Sequence, residues 1–162
     1  RVRGYTGPVT KSTGTTIISE AFRFAEDLND DLKWRIKAGL SPVVKTFAEF
    51  MEQEWLPYAK ITLSIHRYKL HVGTGNRYFT PYFGHDKLDQ IRQKKVDNYW
   101  AWRRDYWVVG IGKDKQKPNV AERPSVSTLK MEKSLLNQIF KYAKRQEYLA
   151  DGFVSGRFGF VS

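Results

Sequence analysis

Hydrophobic residues recur at helical spacing in five stretches of the chain. Ala21, Ala25, Leu28, Leu32 and Ile36 fall at three- and four-residue steps, with Glu26, Asp27, Asp30, Lys33 and Lys37 on the opposite face. They predict a first helix over 19–39, capped by Ser19 and stopped at Gly39 ahead of Ser41-Pro42. Thr46-Phe47-Ala48-Glu49 has the form of a capping box, in which the Thr hydroxyl and the Glu carboxylate each take a backbone N–H. A second helix is therefore expected from Phe47 to Leu56, burying Phe47, Phe50, Met51 and Trp55, with Pro57 near its end. A third is expected from Thr62 to Val72, with Leu63, Tyr68 and Leu70 as partial core markers and Gly73–Asn76 ending or interrupting it.

A fourth helix is expected to start within 88–94. Leu88, Ile91, Val96, Tyr99, Trp100, Arg103 and Trp107 share its inner face, and Arg92, Lys94, Lys95 and Arg104 its outer one. A fifth is opened by Ser127 or Thr128 and runs to about Leu149. Its buried stripe is Leu129, Glu132, Leu135, Leu136, Ile139, Phe140 and Ala143, and its basic stripe is Lys130, Lys133, Lys141, Lys144 and Arg145. Residues 1–18 read as an extended segment and loop, Tyr78–Phe83 as an aromatic stretch holding Pro81, and 110–118 as a mobile basic loop. The expected fold is mainly α, a bundle of four to five helices of the SAM-like kind with an extra N-terminal helix. It divides into 1–42 (end of an N-terminal region and a linker helix), 43–150 (the bundle) and 151–162 (a tail or linker holding Phe153, Phe158 and Phe160).

Charge adds direction to this pattern. Residues 1–57 carry 8 Lys/Arg and 8 Asp/Glu, and residues 150–162 carry one of each. Residues 58–149 carry 19 against 8, which is the whole net charge of +11. Localised positive charge suits a polyanion, because Lys and Arg displace counterions condensed on phosphates. With 41% hydrophobic residues the chain has material for a packed core and is not a disordered basic tail. It has no cysteine, so disulfides, thiolate chemistry and Cys-based zinc sites are excluded. No apolar run approaches the ~20 residues of a membrane span. The absence of a starting Met suggests a piece of a longer protein, and a cytoplasmic setting is expected.

Catalytic chemistry is hard to find. His66 and His71 stand five apart rather than the four that would place two metal ligands on one helix face, and His85 has no such partner. Gly110-Ile111-Gly112-Lys113 lacks the upstream glycine of a phosphate loop (Trp107 is there) and the following hydroxyl (Asp114 is there). No metal or cofactor is expected. The positive signal is for binding. Cations alternate with hydroxyls near two expected helix starts: Lys60, Thr62, Ser64, Arg67 and Lys69, then Arg123, Ser125, Ser127, Thr128, Lys130 and Lys133. Helix N-termini with added donors and charge suit phosphates. Lys113, Lys115 and Lys117 on the basic loop extend the set. Trp100, Trp102 and Trp107 are capable of stacking on bases, but their helical spacing favours core packing.

Four segments carry a family resemblance. Ser127–Leu149 is similar to the last helix of the core-binding domain of phage integrases, the tyrosine recombinases. Thr46–Phe50 with Trp55-Leu56 resembles that domain's first helix, Pro81-Tyr82-Phe83-Gly84 with Leu88 and Ile91 resembles its central joint, and Val96, Tyr99 and Arg103 match the spacing of the next helix. Thr13-Gly14-Thr15 and the helix after it resemble the end of an arm-type region. The interruption at Gly73–Gly75 and the long loop 108–124 depart from the pattern. The resemblance implies a module that grips double-stranded DNA for integration and recombination. Its partners would be a catalytic domain of the same parent chain and, on DNA, a recombinase tetramer. No histidine here is followed three residues later by Arg, so strand cleavage is assigned to that other domain and no catalytic residue to this one. Two readings stay beside it: a stand-alone helical DNA-binding regulator, and a protein-interaction bundle.

Overall fold

Thr46 begins the core. In the computed structural model, which describes residues 11–116 and 118–150, its hydroxyl accepts from the Glu49 backbone N–H while its own N–H donates to the Glu49 carboxylate at 2.7 Å. This capping box opens α2 (Phe47–Phe50), which passes through a π turn (Met51–Trp55) into α3 (Leu56–Thr62). The expected stop near Pro57 is not there. Proline lacks an N–H and its ring crowds the carbonyl four residues back, which usually breaks a helix. Here the wider turn comes just ahead of the ring: the Leu56 N–H reaches five residues back to the Met51 carbonyl, and the helix continues past Pro57.

The same device recurs one rod later. Ser64, not Thr62, caps α4 (Ile65–Thr74), accepting from the Arg67 N–H. Gly73–Asn76 does not end this rod. A π turn (Gly75–Phe79) closed by the Thr80 N–H on the Gly75 carbonyl carries it into α5 (Thr80–Phe83), with Pro81 following. The interruption expected at these glycines is thus a widened turn. Gly75 packs closely there: a Cβ at this position would lie 2.7 Å from Met51 Cε, the end of a flexible side chain that would have to move.

After a 3₁₀ turn (Leu88–Gln90), α6 spans Gln93–Asp105 and α7 spans Val126–Arg145. Ser125 caps α7, so Ser127 and Thr128 lie within its first turn rather than opening it. α1 (Ile18–Lys37) likewise starts one residue before Ser19. Ile17 is its cap residue, and Thr15 takes the Ile17 N–H and donates to Glu20. The described residues form no strand, only an isolated bridge between Thr46 and Lys87 that ties the start of α2 to the turn before α6. Counting α2–α3 and α4–α5 as single rods, the protein is a small bundle of about five helices.

The core is aromatic. Phe47 packs against Phe83 and Phe140, and Tyr99 touches Phe79, Phe83 and Trp100. All seven positions of the expected inner stripe of α7 are buried, as are those expected of the fourth helix from Leu88 to Trp107. Trp102 is half-buried against Tyr82, Tyr99 and Tyr106, so Trp100, Trp102 and Trp107 serve the core. α1 behaves differently from the other rods. It is anchored at its C-terminal end, where buried Arg35 donates to the Asp89 carboxylate at 2.6 Å and to the Ser41 carbonyl. Ile18, Phe22, Trp34 and Ile36 stay exposed along its length. No helix among the described residues is long and apolar enough to cross a membrane. The expected tail or linker 151–162 lies outside the described residues.

Candidate nucleic-acid interface

Two stretches of the chain have almost no carboxylates. Residues 55–85 contain none, and residues 123–146 contain only Glu132. Glu132 is buried, and its carboxylate is held by Arg103 through bonds of 2.8–3.1 Å. The outer face of α7 therefore presents Lys130, Lys133, Lys141, Lys144 and Arg145 with no acid among them.

The fold brings these two stretches together. A groove of about 660 Å³ runs between the end of α3 and the second half of α7, lined by Trp55, Tyr58, Thr62, Leu63, Gln138, Lys141, Tyr142, Lys144 and Arg145. A shallower groove of about 310 Å³ continues along α7 past Lys130, Lys133, Ser134, Asn137, Gln138 and Lys141. Gln138 and Lys141 line both, so the two grooves adjoin along the basic face of the helix and together form a trough. In the trough Tyr58 and Tyr142 stack with ring centres 4.2 Å apart. The Arg145 guanidinium lies about 5 Å from both rings, within cation–π range. Its hydrogen bond to the Tyr58 hydroxyl pulls that phenol below its usual pKa. Arg145 is thus held in place on an aromatic platform. Glu54 is turned to Lys45 and the Tyr148 hydroxyl.

The expected contact residues divide. Lys130, Lys133 and Thr62 line the trough. Thr62 is at the C-terminal end of α3 rather than at a helix start, and its hydroxyl donates to the Tyr58 carbonyl, so the phosphate-clamp role expected of it there does not fit. Lys60 and Ser64 are exposed on either side of Thr62. Arg67 lies near His71, which packs on Trp55; burial first, then the Arg67 charge, hold His71 below its usual pKa. Lys69, two residues on, is displaced by about 160° around α4, so the two cations do not share a face. Arg123 is exposed and 3.9 Å from Asp105. Ser125 and Thr128 bond each other in the first turn of α7, with Ser127 exposed beside them.

The basic loop is a separate place. Lys115 lines another groove of about 570 Å³ with Arg77, Asn76, Tyr106 and Trp107, and Lys113 is exposed beside it on a short 3₁₀ turn. Lys117 lies outside the described residues. In this loop Gly112 lies against the Tyr106 ring, where a Cβ would come within 2.1 Å. Residue patterning missed Tyr58, Ser134, Asn137, Gln138, Lys141, Lys144 and Arg145 as interface candidates. The signal was available in the near absence of acids from 55–85 and 123–146. Among the described residues no three His, Asp or Glu gather as a metal site would require. No family model matches the chain, and no curated protein or solved structure matches it either.

Proposed function

We propose that this chain grips double-stranded DNA through the trough along α7, as the core-binding part of a site-specific tyrosine recombinase of the phage-integrase kind. The observation that carries the DNA reading is the acid-free cationic face of α7, continued by the end of α3, with Arg145 held ready on Tyr58 and Tyr142. Phosphates supply acceptors and negative charge, and this face supplies donors and positive charge. The recombinase assignment is supported by the four ordered sequence resemblances. In this reading the catalytic domain belongs to the same parent chain, the work is done in the cytoplasm, and assembly on DNA is a tetramer.

The test is the salt dependence of duplex binding. With six phosphate contacts, log K falls against log salt with a slope of about −5. Changing Lys130 and Lys133 together to Ala should make that slope shallower by about 2. Affinity that ignores salt ends the reading. For the recombinase assignment, the coding sequence beyond Ser162 should specify a His-x-x-Arg pair and a late nucleophilic Tyr.

One observation favours a second reading, a bundle that docks a protein. Ile18 is 73% and Phe22 67% exposed on α1. If that reading holds alone, Phe22→Ser abolishes partner capture and duplex DNA is not bound at any salt.

A further inference from the structure

The middle of α7 differs from its ends, and the difference matters if the helix meets DNA. From Lys130 to Arg145 the outward positions recur every three or four residues, so they form a straight stripe. Fifteen steps of 1.5 Å make it about 22 Å long, the rise of six to seven base pairs at 3.4 Å each. Cations occupy both ends. Between Lys133 and Lys141 the outward residues are Ser134, Asn137 and Gln138, which carry no charge.

A helix lying in a major groove can present uncharged side chains to base edges while cations beside them meet the phosphates. The chemistry of Gln138 indicates which edges. Its Nε2 donates to the Ser134 carbonyl at 3.2 Å and approaches the Ser134 hydroxyl at 3.4 Å. A backbone carbonyl only accepts, so the amide nitrogen is the atom placed against it. The donor end is thereby engaged within the helix, which leaves accepting as the unused capacity of a side chain that lines the trough. An acceptor has nothing to offer a phosphate. In the major groove its only complements are the amino groups of adenine N6 and cytosine N4. Beside it, Asn137 Oδ1 is buried with no hydrogen-bond partner among the described residues, so it is not itself offered to a base.

We infer that α7 is a recognition helix in which Gln138 is the base-reading residue, accepting from the amino group of an adenine or cytosine while the flanking cations hold the phosphates. The Ser134 backbone carbonyl, with the hydroxyl beside it, holds the amide. This inference rests on the DNA-gripping reading above and adds sequence specificity to it.

The experiment is selection from a pool of duplexes with a randomised window, using the full chain and Gln138→Ala at the same salt, with thermal melts to match their folding. The native chain should enrich a motif with adenine or cytosine fixed at one position. Gln138→Ala should lose discrimination there by about five- to a hundredfold, while its salt slope stays unchanged. Gln138→Glu, an acceptor without a donor, should bind more weakly and move the preference toward cytosine. If both chains enrich the same motif, or the native chain binds duplexes with the expected slope yet enriches none, base reading is overturned and phosphate gripping stands. If no duplex is retained even at low salt, both fall together.

Discussion

Arg103 and Glu132 are 3% and 1% exposed, and each is the other's charge partner. The Tyr99 hydroxyl donates to the same carboxylate at 3.2 Å, and the guanidinium lies 3.6 Å from the Tyr78 ring centre. Burial, with the Glu132 charge behind it, pushes the Tyr99 phenol far above its usual pKa, so it stays a donor. A buried ion pair adds little over an apolar replacement, but removing one member strands the other. Glu132→Ala should therefore lower the unfolding free energy by about 3–5 kcal/mol in denaturant titrations. Arg103→Met with Glu132→Leu should recover most of that loss. The pair also bears on DNA binding indirectly: it keeps the one acid of α7 out of the trough. That both charges face inward followed from their places in two helical stripes. That they face each other did not, because periodicity says which side of a helix is buried and nothing about what lies opposite.

Helices follow local rules wherever the governing interaction is local. The capping box at Thr46 was legible because all its atoms lie within four residues. Thr46→Ala should cost about 1 kcal/mol of stability. Hydrogen bonds from the Thr46 backbone N–H, then its hydroxyl, hold the Glu49 carboxyl below its usual range. A lowered carboxylate pKa contributes stability above the unfolded value, and that contribution is lost as pH falls through the folded one. In Thr46→Ala, proton titration by NMR should find the Glu49 pKa closer to its ordinary value, and the acid limb of the stability curve should flatten. The prolines illustrate where local rules fail. Pro57 reads as a stop, yet a π turn carries the rod through it, and the same happens at Pro81. These turns are packed against one another through Met51 and Gly75, residues far apart in sequence, and no local pattern signals that contact. The missed starts at Ser64 and Ser125 have a smaller cause: several hydroxyls stood within one turn, and only the folded backbone selects which one faces the free N–H groups.

At the scale of the molecule the question is whether charge acts by total or by place. Lys33 and Lys37 on α1 carry the same formal charge as Lys130 and Lys133 on α7. Changing either pair to Ala lowers the net charge by 2, from +11 to +9. If place governs, the α7 pair makes the salt slope shallower by about 2 and the α1 pair leaves it unchanged, in parallel binding titrations. Equal effects from the two pairs would mean a merely cationic protein without a trough.

The sequence by itself determined the class of fold, the inner stripes of the fourth and fifth helices and the confinement of excess charge to 58–149, since each is a matter of spacing or counting along one chain. Only the tertiary structure decided which cations from different segments keep company. Spacing already put Lys130, Lys133, Lys141, Lys144 and Arg145 on one stripe of the last helix; the fold set that stripe beside the end of α3 and placed Lys115 with Arg77 in another groove. The physical reason is that a surface is assembled from segments distant in the chain, and their juxtaposition depends on how the aromatic core packs rather than on any residue's own neighbours.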